Sequence, residues 1–392
     1  MGARRNNASG QSQDLRRFSY KDQTFDYEID AEFSDRADLQ TQRATCENGG
    51  SFMTVETTHD LPICKVLLED PRRPPLSRRI KDLGMKAAGR VATVLRHLPR
   101  QRAENEFGIL VYHRVAPLQP NCARPSFNVP PDCFREQITG LRRQGFTLLA
   151  LQDVLKRTAE NEPVPPRTVV ITFDDGFESV YEFAWPTLRD LNVPATIFLN
   201  TGYLNRQTPF PFDAWGHAYT DTVPPVCYRP LTDAQCKEMA ASGLIELGAH
   251  THTHADFRGR VGEFRRDMQI CLDQFQELFQ ITRPTFAFPF GKPNMGFAHK
   301  SSVEVVREFG LPCSLTTEAV SARTSDSPFS WGRFHAYEWD NSRTLAAKLL
   351  GYYSWAPLMA EGVVQWWKRQ WRRSRQTAAR TNLSQLAGDC YD

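Results

Sequence analysis

The sequence predicts an α/β fold whose parallel strands close into a barrel-like layer, and three observations lead there. Short, uninterrupted apolar runs recur through the middle of the chain, and runs without polar alternation suit strands covered on both faces. Stretches with apolar residues three and four apart separate these runs, the pattern of strand–helix units. The number of such units favours a barrel over an open sheet.

The first unit begins with "FGILVYHRV" (Phe107–Val115), an apolar run suited to a buried strand. Phe134, Ile138 and Leu141 then fall at helical spacing, and Gly145 ends that helix before another apolar segment. "TVVITF" (Thr168–Phe173) reads as a strand, and "SVYEFAWPTLRDL" as a helix despite Pro186. Further strands are expected at "ATIFLN" (Ala195–Asn200), "LIELGAH" (Leu244–His250), "TFAFPF" (Thr285–Phe290) and "CSLTT" (Cys313–Thr317). Val261, Phe264, Met268, Cys271, Phe275 and Leu278 mark a helical stripe between them.

The flanks differ in kind. Residues 1–75 are expected to be a disordered extension, because a segment rich in Asp, Arg, Gln, Ser and Thr buries too little apolar surface to offset its ordering entropy. Residues 76–105 read as a basic helical segment around "LSRRIKDLGMKAAGRVATVLRHL". The domain proper is assigned to 106–348, and 349–392 to a C-terminal helical segment rich in Trp and basic residues. In that last segment Val364, Trp367 and Trp371 share one helical face opposite arginines. Such a face suits peripheral contact with a membrane surface or docking of the tryptophans on the barrel.

The charge balance excludes some functions. With 48 basic and 45 acidic residues the net charge is only +3, too small to argue for a nucleic-acid partner. Nine cysteines without a CxxC pair read as reduced thiols. No apolar h-region opens the chain and no run of about 18 uncharged apolar residues occurs. A cytoplasmic location, peripheral to the membrane at most, is the expectation.

Two clusters carry chemistry. Asp174 and Asp175 follow a strand and precede Gly176, at the edge where α/β folds bind ligands; a strand-ending turn with one helix-capping Asp is the plainer reading. "GAHTHTHADF" (Gly248–Phe257) follows another strand and sets His250, His252 and His254 at alternate positions. Extended or helical, the segment places His250 and His254 on one side. Two histidines and one carboxylate form a triad that leaves metal positions open for water and substrate. One aspartate then serves as the third ligand while its neighbour stays free as a base, and a dication would relieve the repulsion between them.

"TFDDG", "HTHTH" and "FAFPFGKP", in this order, resemble the NodB-homology polysaccharide deacetylases, carbohydrate esterase family 4. "YHRV", "VPATIFLNTGYL" and "LTDAQCKEMAASGLIELGAHTHTH" extend the resemblance from Phe107 to Lys348. It implies a distorted (β/α) barrel with one catalytic divalent metal, zinc first and cobalt, nickel, iron or manganese as alternatives. It implies Asp175, His250 and His254 as ligands and Asp174 as the general base that takes a proton from the attacking water. It also implies a backbone N–H at Phe290 for the oxyanion, and an N-acetylated carbohydrate as substrate.

Two departures from the family pattern stand out. The family's third motif often carries an arginine that orients the base, whereas this chain has Ala287, Phe288, Pro289 and Phe290 there. Arg333 in "WGRFHAYEW" is the candidate replacement, with a structural arginine as the alternative. The late histidine acting as general acid has no clean match; His335 is the nearest candidate and His113 the next, with pocket lining as the duller role. Tyr203 and Trp215 in the aromatic loop "NTGYLNRQTPFPFDAWGHAY" are assigned with His113 and Pro289 to substrate binding, with packing of an irregular loop as the commoner role of such aromatics. Three readings stand: an N-deacetylase of amino sugars, a hydrolase of a non-sugar amide or cyclic imide on the same metal site, and a carbohydrate-binding pseudoenzyme. The sequence leaves the oligomeric state open.

Overall fold

The computed structural model describes residues 15–20, 23–28, 76–95 and 105–352. Within the extension expected to be disordered it describes an antiparallel hairpin, β1 (Leu15–Tyr20) with β2 (Gln23–Glu28). The rest of 1–75, and the Trp-rich helix expected beyond residue 352, lie outside the described residues.

The second compact unit begins with a 20-residue helix, α1 (Leu76–Leu95). The apolar runs then become strands in the expected order. β3 (Glu106–Tyr112) is buried at every position. It leads to α2 (Pro131–Arg143), whose Pro stands in the first turn, where no amide partner is needed. The short β4 (Thr147–Leu148) and α3 (Leu151–Ala159) follow, then β5 (Thr168–Phe173), again buried throughout.

Pro186 is accommodated by a change of helix type. Val180–Ala184 form a π-helical turn and α4 (Trp185–Asp190) starts afresh, with Pro186 in its first turn. The missing proline N–H therefore falls where a helix has no bond to lose. β6 (Ala195–Leu199), α5 (Ala214–Tyr219) and α6 (Asp233–Ala241) follow. α6 opens on a reciprocal cap between Thr232 and Gln235.

β7 (Ile245–Ala249) precedes α7 (Val261–Phe279), which buries Phe264, Met268, Cys271 and Phe275. Val261, counted in that stripe, is exposed at the start of the helix. The last strands are shorter than the apolar runs suggested: β8 (Phe286–Ala287) and, after α8 (Lys300–Glu308), β9 (Ser314–Leu315). β10 (Ala322–Arg323), β11 (Phe334–His335) and α9 (Ser342–Leu349) complete the unit.

The strands run parallel in the order β3-β5-β6-β7-β8-β9, with β10 antiparallel on the far side of β3 and β4 beside β5. The segment from Trp331 to His335 closes this sheet into a distorted barrel. Trp331 bridges to Leu315 of β9, and three residues later β11 begins and pairs in parallel with Leu110 and Val111 of β3. Arg333 lies between the two pairings and is fully buried. Both metal-type motifs and the closing segment therefore reach the same carboxyl edge of the strands.

Candidate active site

The two aspartates leave β5 with different backbone conformations, and this separates their side chains. The Asp174 amide still donates to Tyr112 of β3 at 2.9 Å. Asp175 turns into the left-handed region (φ 72°), and Gly176 continues it (φ 82°). Aspartate tolerates that region better than most residues, and glycine adopts it without steric cost. Both carboxylates are buried.

Asp175 faces two imidazoles. Its Oδ1 lies 3.4 Å from His254 Nε2 and 3.6 Å from His250 Nε2. These separations suit two ligands of one ion, since two atoms each about 2.1 Å from one ion lie about 3–3.4 Å apart. Among the described residues, Asp175, His250 and His254 form a buried group whose donor atoms all lie within 4.8 Å of one another. The His250 ring donates Nδ1–H to the carbonyl of Ala287 at 2.8 Å, because a carbonyl can only accept. Its Nε2 lone pair is thereby aimed at the cluster, the arrangement that orients metal-ligating histidines. Burial holds the His250 pKa below the usual imidazole value, opposed by Asp174 and then Asp175, so a neutral ring is favoured. One carboxylate and two neutral imidazoles suit zinc or another borderline divalent cation.

The histidine loop is neither the strand nor the helix considered from sequence. Thr251 and His254 both have positive φ (68° and 55°), and for a β-branched threonine this is strained. Several contacts hold it there. Thr251 Oγ1 accepts from the His254 amide at 3.0 Å, and Asn200 donates its side-chain amide to the carbonyl of His250. Asp267 of α7 accepts from the amides of His252 and Thr253 at 2.7 and 3.2 Å. Gly202 donates to the His252 carbonyl at 3.0 Å, and a Cβ there would stand only 2.8 Å from that oxygen. His252 itself points away, with its Nδ1 3.0 Å from Thr201 Oγ1.

Asp174 faces the other way, onto Arg333. The guanidinium makes a two-pronged pair with it, Nη1 to Oδ1 at 2.6 Å and Nη2 to Oδ2 at 2.8 Å. Arg333 Nε donates to the carbonyl of Thr316 at 3.0 Å, and Nη1 also reaches Thr172 Oγ1 at 3.3 Å. The fork thus fixes both oxygens of Asp174, with Oδ2 3.9 Å from His250 Nε2. An arginine from the barrel-closing segment thus pairs with Asp174. Replacing Arg333 by Met is expected to cost about 3–5 kcal/mol of unfolding free energy, because it strands a buried carboxylate. Arg333→Lys should cost less, keeping the charge but losing the fork. Urea titrations check this, and a loss below about 1 kcal/mol in both variants would contradict the buried pair.

His113 and His335 come together. His113 directly follows β3 and His335 ends the paired β11, and their rings stack with centroids 5.7 Å apart and planes 15° apart. Phe127, at φ 54°, packs against both, at 4.9 and 5.0 Å. Phe290, also at positive φ (61°), sets its ring edge-on to His254 at 4.8 Å. Pro289 beside it is buried.

The aromatic loop divides. Tyr203 and Trp215 are each only 5% exposed. Tyr203 donates its hydroxyl to the carbonyl of Thr253, and the Arg114 guanidinium lies over Trp215 at 5.0 Å while pairing with Asp213. These rings pack the loop, the commoner of the two roles weighed from sequence, and little of either face is exposed. Phe212 is the half-buried member and stacks on His254 at 4.2 Å. Sequence reasoning missed the residues that hold the site: Thr172, Thr316, Asn200 and Asp267. Only Asp267 carried a signal, as an acid at an apolar position of the α7 stripe.

Residues 161–313 match the family model for polysaccharide deacetylases. The poly-β-1,6-N-acetyl-D-glucosamine N-deacetylase of Staphylococcus aureus (strain MRSA252) is 24% identical over 212 residues, 51% of this chain and 66% of that protein. This chain therefore spans just under two thirds of that relative's length. Among solved structures, IcaB from Ammonifex degensii aligns with a TM-score of 0.52 at 24% identity, over 63% of this chain and 98% of that one. The Streptococcus pyogenes deacetylase PplD, in complex with acetate, aligns at 0.51 and 20%, over 63% and 99%. These structures share the fold described above.

Proposed function

We propose that this chain, a member of the NodB-type polysaccharide deacetylase family and so a hydrolase of non-peptide carbon–nitrogen bonds, removes N-acetyl groups from amino-sugar residues of a polysaccharide or glycolipid precursor. The observation that carries the reading is the division of labour at one strand end. Asp175 joins two imidazoles in a ligand set, while Asp174, 2% exposed, is held apart by Arg333.

Asp175, His250 and His254 would hold one divalent cation, zinc the first choice, and the ion would supply the Lewis acidity that makes a water reactive near neutral pH. Asp174 would act as the base that takes a proton from the attacking water. The two donors from Arg333 hold both of its oxygens and fix their direction. The N–H of Phe290 is assigned to the developing oxyanion, where a preorganised donor costs no reorganisation during reaction. His335 and His113, stacked at the same edge, are the candidates to protonate the leaving amine.

The pairing of Arg333 with Asp174 weighs against the pseudoenzyme reading, one of whose two motives was the absent arginine. The N-acetylglucosamine polymer named for the Staphylococcus aureus relative supports a sugar over a cyclic imide. We place the reaction in the cytoplasm, on a precursor held near the membrane; the six described cysteines are free thiols, which suits a reducing compartment. Membrane contact through the Trp-rich segment Gln365–Arg375 belongs to the same proposal and rests on sequence alone.

The zinc-loaded full chain, incubated with β-1,6-linked N-acetylglucosamine oligomers, is expected to release acetate and leave free amines. Turnover of cyclic imides without acetate from any sugar oligomer would replace this reading with the second.

A further inference from the structure

The helix α1 presents its more apolar side outward. Met85, Ala88 and Gly89 turn towards the barrel, where Met85 clusters with Ala347 and a Cβ on Gly89 would stand 3.7 Å from Thr344 of α9. Small residues on that side allow close approach. On the opposite side Leu83, Ala87 and Val91 recur every four residues, and Val94 continues the line one turn on. Leu83 is 69% exposed, Val91 48% and Val94 71%. Exposed Lys86 and Arg90 border this line, and Lys86 Nζ lies 4.9 Å over the Trp339 ring. Asp82 is the lone acid among the helix's five basic residues, and it is half-buried.

We propose that α1 docks on an anionic lipid surface, its Leu83–Val91–Val94 line entering the acyl boundary and its cations meeting the headgroups. Three features favour lipid over a second protein copy. The apolar line is narrow, the border carrying Lys86 and Arg90 is cationic, and basic residues also surround the helix in sequence, from Arg72 and Arg73 to Arg100 and Arg102. An apolar line bordered by Lys and Arg is the makeup of an interfacial helix, because long basic side chains reach the headgroups while their stems stay in apolar surroundings. No described helix is long and apolar enough to cross a membrane, so the contact is one of lying on the surface.

The position of α1 gives the contact a consequence. Trp339, under Lys86, stacks on Tyr337 at 4.5 Å, Tyr337 neighbours His335 at 5.9 Å, and His335 stacks on His113. A short aromatic row thus joins the docking helix to the candidate active site.

The test is co-sedimentation of the full chain with vesicles of phosphatidylcholine alone or mixed with phosphatidylglycerol. The wild type is expected to sediment with the mixed vesicles only, and less as salt is raised. Leu83→Ser/Val91→Ser/Val94→Ser should weaken binding by more than about tenfold. Lys86→Gln/Arg90→Gln should weaken it about fivefold for each charge removed. These exposed sites leave folding intact, checked by circular dichroism. Acetate release from soluble oligomers should match wild type, so the lipid reading and the deacetylase reading fail separately. The proposal is overturned if the wild type ignores both vesicle types. It is overturned equally if the triple variant binds undiminished, which would assign binding to another segment. A wild type that dimerises without binding lipid, with a monomeric triple variant, would assign the face to a second copy.

Discussion

Purified His250→Ala/His254→Gly protein is expected to retain almost no divalent metal and to release no acetate, where the wild type holds about one equivalent per chain. Two of the three donors of the Asp175 group are removed. Loss of even an outer partner of a metal ligand costs about 10–100-fold in affinity, so loss of two ligands should exceed that range. Glycine is chosen at 254 because the backbone there has φ 55°, a conformation that would strain alanine by about 1–2 kcal/mol and confuse metal loss with unfolding. Metal analysis by mass spectrometry, beside a urea titration, reads both effects. Equal metal content in the two proteins would remove these histidines from the ligand set, whatever the activity did.

The second large effect is expected from Asp174→Asn. General-base catalysis of this kind is worth about 10²–10⁴-fold, and kcat should fall by that factor while metal content stays at the wild-type level. The contrast arises because Asp174 pairs with Arg333 and its neighbour Asp175 faces the histidines. Asparagine also leaves the buried Arg333 without its counter-charge, so a stability cost on the order of 3 kcal/mol accompanies the loss. Rates are therefore compared at matched folded fractions. A fall in kcat of less than about tenfold would mean that another group takes the proton.

Much of this site could be read in the sequence because its residues lie close together along the chain. Asp174 and Asp175 are adjacent, and His250 to His254 span one loop after one strand. Apolar runs fixed which strands bear them, since a strand buried on both faces must be apolar throughout. The parallel order then brings their ends to one edge. The pairing of His250 with His254 held although the loop adopts two left-handed residues, a conformation no periodicity argument foresaw.

What the sequence by itself determined was therefore the strand–helix alternation, the identity of the two clusters and the closeness of their strand ends. Tertiary structure alone decided which partner each aspartate faces. Arg333 reaches Asp174 across 159 positions because the Trp331–His335 segment closes the barrel between β9 and β3. It also decided that Tyr203 and Trp215 pack a loop while Phe212 stacks on His254 of the candidate ligand group. The physical reason is the same for both. A buried charge or ring takes its partner from whatever the closed fold brings within a few ångströms, and separation along the chain carries no record of that distance.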